Sequence, residues 1–288
     1  MYTIYPTIFP DFQCKAGACK HTCCQTWEID IDPDTEEKYR STKGPLGEEL
    51  ARWMRTAEDG STCFKLNKKG YCHFLRDDGL CRLILEKGEE YLGNICTMHP
   101  RFYKYIDDIE LCGTGLCCEK TCEDLFRMKG PLLFAIEGED TVMDFPALTS
   151  ALGWDIPEAL FSFTPRLEEA HFREILSHLE STDPIDKEWT EHLSFLSHHP
   201  EAALDAARRY EAPKDFFNRL YQYIWYRQLD LALFTDMADL AAYAEESTLY
   251  IYIEAALTGD PLRAAARWSE QIEYDTDNVS LLLGFLSQ

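Results

Sequence analysis

The chain has 288 residues, is 45% hydrophobic and 13% aromatic, and carries a net charge of −23 at pH 7. That apolar content suffices for one large or two ordinary cores and excludes a disordered polymer. The opening Met1-Tyr-Thr-Ile-Tyr-Pro6 has no basic start followed by an apolar run, and no segment reaches the ~18 apolar residues of a membrane helix, so the expectation is a soluble, cytoplasmic protein with no membrane partner.

All twelve cysteines precede residue 123. In a reducing cytosol, thiols at such short spacings point to metal ligation, where a secreted chain would point to disulfides. Residues 1–122 carry 16 Lys and Arg against 20 Asp and Glu, so the remaining −19 of the net charge falls on residues 123–288. That acidity argues against nucleic acid and suits a basic, lysine-bearing partner, although charge also serves solubility alone.

In chain order, Cys14, Cys19, Cys23 and Cys24 open the cysteine-rich half. From Trp27 to Asp32, apolar and acidic residues alternate with the period of a half-buried strand. Pro33 ends it, and Asp34 or Thr35 caps a short helix through Tyr39. Leu46, Leu50, Trp53 and Met54 predict a helix to about Ala57. Residues 62–86, including Leu80–Leu85, read as short strands, with Lys68-Lys-Gly70 and Asp77-Asp-Gly79 as tight turns that bring Cys72 and Cys81 together. A brief helix from Glu89 to Ile95 delivers Cys96. Arg101–Ile106 and Ile109–Cys112 predict a hairpin, and Cys117, Cys118 and Cys122 begin a helix.

Beyond about residue 130 the pattern is helical. Thr164-Pro165 predicts a helix start running through about Leu179. Further helices are expected at 186–197, 200–210, 214–234, 236–257 and 260–272, with the nearly all-round apolar segment Phe216–Leu229 as the central one. The expected fold is therefore α+β: a cysteine-rich metal-binding domain of short strands and helices at 1–130, then an all-α domain at 131–288.

Thiolates suit zinc and iron–sulfur clusters, but Cys14-x4-Cys19-x3-Cys23-Cys24 fits neither a zinc-knuckle pair nor the bacterial ferredoxin run, leaving the metal open. His21 and His73 adjoin cysteines and are candidate ligands; His198 and His199 predict a solvated loop. No glycine-rich turn follows a strand, which disfavours a dinucleotide-type methyltransferase fold, and Gly113-x-Gly115 reads as a turn.

Cys19-x3-Cys23-Cys24-x2-Trp27-x-Ile29-x-Ile31, Cys72-x-Phe74-Leu75, Gly79-Leu80-Cys81, Gly88-Glu89 and Cys96-x2-His99-Pro100-Arg101 together resemble the cysteine-cluster family that includes the flagellin lysine N-methylases. Tyr223-Ile-Trp-Tyr226-Arg227 resembles their tyrosine-rich, arginine-bearing helix. The resemblance covers most of residues 1–125 and little beyond. It implies methyl transfer from S-adenosylmethionine to lysines of flagellin or another lysine-bearing protein, with an iron–sulfur (4Fe-4S) or zinc centre on Cys14, Cys19, Cys23, Cys24, Cys72, Cys81, Cys96 and Cys117. Cys112, Cys118 and Cys122 are additional to that pattern, and His99 stands where an aromatic residue is expected. Arg101 and Arg227 are candidates for the donor's carboxylate, since guanidinium pairs bidentately with carboxylates; such an arginine is more often an internal ion-pair partner. Tyr103, Tyr105, Tyr223 and Tyr226 are candidates for an aromatic lysine channel or for ordinary core. The competing expectation is a non-enzymatic zinc- or iron-binding protein.

Overall fold

The computed structural model describes residues 2–25, 27, 29–57 and 60–287. Two compact units result, Gln13–Pro100 and Met1–Phe12 with Arg101–Gln288, so the division falls at 12/13 and 100/101 rather than at residue 130. The chain opens with β1 (Tyr2–Pro6), which belongs to the larger unit.

The cysteine-rich unit contains β2 (Ile29–Ile31), α1 (Pro33–Ser41), α2 (Pro45–Trp53), β3 (Met54–Thr56), β4 (Thr62–Phe64), α3 (Arg82–Lys87) and α4 (Asn94–Met98). Its strands pair antiparallel in the order β2-β4-β3, and Ile29, Ile31, Tyr39, Leu50, Phe64 and Phe74 fill a small core of its own. The alternating strand is present, although Glu28 lies outside the described residues. Asp32, rather than Asp34 or Thr35, caps α1, because Pro33 tolerates the first helical position and the Asp32 carboxylate accepts the Thr35 amide at 3.0 Å. The helix expected to reach Ala57 stops at Trp53, since Met54 pairs with Phe64 as part of β3. Leu80–Leu85, expected extended, instead turns into α3 after Cys81. Cys96 lies within α4, preceded by a 3-10 turn at Glu89–Tyr91, rather than at the end of one helix.

The larger unit continues with β5 (Arg101–Ile106), β6 (Ile109–Thr114), α5 (Glu119–Arg127), β7 (Leu133–Ile136), β8 (Val142–Asp144) and α6 (Phe145–Ala151). Then follow α7 (Glu169–Glu180), α8 (Lys187–His198), α9 (Pro200–Arg209), α10 (Lys214–Arg227), α11 (Met237–Thr258), α12 (Pro261–Gln271) and α13 (Thr276–Leu286). The expected hairpin forms as β5 and β6 inside a five-stranded sheet of order β5-β6-β1-β7-β8, in which β1 runs parallel to β6. An all-α second half is therefore incorrect, because residues 133–144 supply two of these strands. The helix expected from Thr164-Pro165 begins later, at Glu169.

As its sequence predicts, α10 is central: from Phe216 to Arg227 all residues but Asn218 are buried. Two of its tyrosines fasten the sheet to the helices. Tyr223 Oη donates to Thr114 O at 2.7 Å and accepts the Thr114 amide at 3.0 Å, while Tyr226 Oη lies 2.9 Å from both Ile4 O and Cys112 O, bridging two adjacent strands. These phenols are spent on backbone and do not line a channel. Among the described residues, no helix is long and apolar enough to cross a membrane.

Glu246 on α11 sits in a small cavity lined also by His178, Tyr243, Tyr250 and Trp268, and its Oε2 lies 3.5 Å from His178 Nδ1. Burial, then the charges of Glu174 and Glu245, raise the Glu246 carboxyl to about 7, while burial lowers His178 toward its neutral form. The folded protein therefore holds a Glu246 proton that the unfolded chain releases near pH 4.5, and this term costs stability as pH rises from there to about 7. Glu246→Gln should be more stable than the parent by about 1–3 kcal/mol at pH 8, with the difference vanishing near pH 4, as measured by denaturant unfolding at both pH values.

Candidate metal centre

Seven of the expected ligands, Cys14, Cys19, Cys23, Cys24, Cys72, Cys81 and Cys96, lie in the Gln13–Pro100 unit. Backbone pairing brings distant ones together. The Cys72 amide donates to Cys24 O at 2.8 Å, beside a bridge between Gln25 and Tyr71. Leu75 bridges Cys81 across the Asp77-Asp78-Gly79 turn, which closes through Arg76 N to Leu80 O at 3.0 Å. Gly79 takes the left-handed conformation (φ 76°) that the turn needs. The expected tight connection between Cys72 and Cys81 is thus present. The other carboxylate oxygen of Asp32, Oδ2, accepts the Asn94 amide at 2.8 Å, so one side chain starts both α1 and the helix carrying Cys96. These two hydrogen bonds, the Asn94 one foremost, hold the Asp32 carboxyl below its ordinary range.

Cys24, Cys72, Cys81 and Cys96 are near enough to sense one another's charge. Burial pushes the Cys72 thiol up to about 12, helped by the charges of Cys24 and Cys81 and opposed by the Phe74 and Leu75 amides. Burial likewise raises Cys81, opposed by the Ile84 and Leu83 amides at the start of α3. Cys96 is open to solvent as a residue. Protein crowding its sulfur, then the charges of the other three, still drives that thiol up. Cys24 goes the other way, to about 7, chiefly through a hydrogen bond from Cys23.

One thiol is therefore ready to ionise at neutral pH, and three beside it can follow only if positive charge arrives. Amides aimed at sulfur favour thiolate, and an all-sulfur donor set suits zinc or iron. The donors fit such a group chemically. Among the described residues, no three Cys, His, Asp or Glu side chains already form a closed metal cage, so the four are neighbours rather than a finished coordination sphere.

The remaining candidates are placed elsewhere. Cys117 belongs to the larger unit, where it is fully buried and hydrogen-bonded to Tyr274. Arg227 is buried in an ion pair with Glu273 (3.3 Å) and lies over the Phe102 ring, so it is engaged internally. Arg101 stacks on Phe12. His73 turns to Glu49 (2.5 Å), which Arg82 also contacts, and its ring stacks on Trp53 at 3.9 Å. His198 and His199 are exposed at the junction of α8 and α9. The roles of Asp32 and Glu49 had no signal in cysteine spacing; only the Asp-Pro pair at a helix start marks the first.

A thiol-rich α+β unit with a candidate metal centre, in one chain with a helix-rich unit, is the class that this architecture defines. Within it, the chain is 30% identical over 108 residues to the flagellar biosynthetic protein FliU of Salmonella muenchen, covering 33% of this chain and 60% of that protein. It is likewise 30% identical over 108 residues to the lysine-N-methylases of Salmonella choleraesuis (strain SC-B67) and Salmonella typhimurium (strain LT2), covering 25% of each. The resemblance read from the cysteine pattern fits these relatives. The chain thus spans about a quarter of the length of those methylases. No family model and no solved structure matches it.

The loop carrying Cys14 and Cys19 is seated by a glycine contact. A Cβ at Gly17 would stand 2.4 Å from Asp78 O, and one at Gly79 would stand 2.9 Å from Gly17 Cα. Gly17→Ala should therefore lift the loop from the turn, lower stability by about 1–3 kcal/mol, and increase the number of thiols that react with a thiol reagent before denaturation.

Proposed function

We propose that this chain holds a thiophilic metal centre, zinc or iron–sulfur, on Cys24, Cys72, Cys81 and Cys96, and transfers methyl groups from S-adenosylmethionine to lysines of flagellin or a similar lysine-bearing protein. The match to proteins named lysine-N-methylase carries the methylation part of this reading, and the convergence of four thiols supports the metal part. When bound, the centre would supply Lewis-acid or one-electron chemistry according to the metal. The chain's own part is to present sulfur: Cys24 ionises first, and the Phe74, Leu75, Leu83 and Ile84 amides stabilise charge on Cys72 and Cys81. A lysine must lose its proton before it can accept a methyl group, which requires desolvation or a base. The net charge of −23 favours approach of a basic substrate in a cytoplasmic setting.

A second reading, a metal-binding protein without catalysis, is favoured by the same convergence of four thiols, which needs no methyl transfer to account for it. Thiolate-bound zinc can contribute ~10–16 kcal/mol of apparent binding free energy to folding, which is reason enough for such a site. The test is anaerobic purification, metal analysis, and transfer of labelled methyl from S-adenosylmethionine to purified flagellin. Stoichiometric metal with transfer, both lost in Cys72→Ser, is expected. Metal without transfer would leave the second reading, and a metal-free protein with unchanged folding would contradict both.

A further inference from the structure

One face of the five-stranded sheet packs on the helices; on the other, Cys112 and Thr114 are buried while Tyr103, Tyr105 and Glu137 reach solvent. Ile4, Ile106, Leu111 and Phe134 point into the helical core. The register places Tyr103 opposite Cys112, Tyr105 opposite Glu110, Glu110 beside Thr3, and Tyr5 opposite Ala135, all on the other face. An outer sheet face ordinarily alternates to polar residues. Here it is aromatic: Tyr105 is 55% and Tyr103 39% exposed, and the rings continue through Phe9, 6.4 Å from Tyr103, to Tyr5, 6.0 Å from Phe9. Contiguous exposed aromatic surface marks an interaction site more often than scattered single residues do.

Carboxylates are set among these rings. Tyr105 Oη donates to Glu110 Oε1 at 2.9 Å and Thr3 Oγ1 donates to Glu110 Oε2 at 3.2 Å, so both oxygens are held in place while keeping lone pairs for another donor. Glu137, exposed just past β7, adds negative charge to the same face. Of the nearby cations, Arg101 lies on this face two residues before Tyr103, where it stacks on Phe12 and offsets one of the two carboxylates, and Lys104 points to the opposite side, where it pairs with Asp230 at 2.8 Å. Fixed carboxylate beside open π faces is the chemistry that receives an ammonium group.

We propose that this outer face, centred on Tyr103, Tyr105 and Glu110, docks a lysine-bearing protein segment. The proposal rests on the methylase reading for its choice of lysine and deepens it, because it locates where the substrate protein is held. The charge of the face carries the choice of partner: carboxylates fixed among π faces repel phosphate and attract ammonium.

The test measures binding, so it does not depend on catalysis. A fluorescein-labelled short peptide of alternating lysine and glycine, and its fully lysine-acetylated counterpart, are titrated by anisotropy against the full chain, Tyr103→Ala/Tyr105→Ala and Glu110→Gln, with folding checked by circular dichroism. The unmodified peptide is expected to bind the parent, to lose about tenfold in affinity with either variant, and to bind far more weakly once acetylated. Equal affinity for parent and variants, equal binding of the acetylated peptide, or a concentration-dependent dimer of the parent that the double substitution dissolves would each overturn the proposal. Peptide binding of the expected pattern without methyl transfer to flagellin retires the methylase reading and leaves the docking face standing; transfer with binding indifferent to the variants does the reverse.

Discussion

A thiol surrounded by protein and by other thiols resists ionisation, and this constraint organises the Gln13–Pro100 unit. Cys72 and Cys81 are buried or half-buried, and each is pushed away from the thiolate form by lost solvation and by its neighbours. Cys24 is instead lowered, through Cys23. The local structure makes sense as a means of enforcing this crowding: an amide of Cys72 on Cys24, a glycine turn ahead of Cys81, and an aspartate that starts two helices and so fixes Cys96. Three short strands and a core of few residues bury little apolar surface, and a cation that drew the protons off these thiols would tie their segments together, which is why the proposed reading gives the metal a structural as well as a chemical part.

The larger unit follows a different logic. Its stability rests on a continuous aromatic core around α10, with tyrosine hydroxyls satisfying strand carbonyls that the helix would otherwise bury. Because that helix spends Tyr223, Tyr226 and Arg227 on internal partners, the proposed docking of a lysine-bearing protein is assigned to a surface outside the core. The solvent-facing side of the sheet offers tyrosines and an oriented carboxylate there.

Much of this was legible in the chain. The period-two run before Pro33, the all-round apolar segment after Lys214 and the glycine punctuation around Cys81 each record a local physical demand, and each has its counterpart in β2, α10 and the Cys72–Cys81 turn. The errors lie where a longer-range partner decides. Leu80–Leu85 has strand-like residues, yet Cys81 initiates a helix there; Met54 continues a helical pattern but is claimed by Phe64. Strands β7 and β8 were missed because they join a sheet whose other members lie more than a hundred residues away in part, at β1. Among the site residues, the family resemblance named eight thiols, of which seven lie in the smaller unit and Cys117 in the larger, since a cysteine pattern carries no information about which unit each residue packs into.

In the proposed centre the sulfur ligands come from three separate segments of one unit. X-ray absorption at the edge of whatever metal co-purifies anaerobically tests this most directly. It should show a first shell dominated by four sulfur atoms at ~2.3 Å for zinc, with one sulfur fewer in Cys96→Ser, or an iron–sulfur shell that Cys96→Ser loses along with the cluster. A shell of nitrogen and oxygen at ~2.0–2.1 Å, or a zinc–sulfur count or iron–sulfur cluster that Cys96→Ser leaves unchanged, would contradict it.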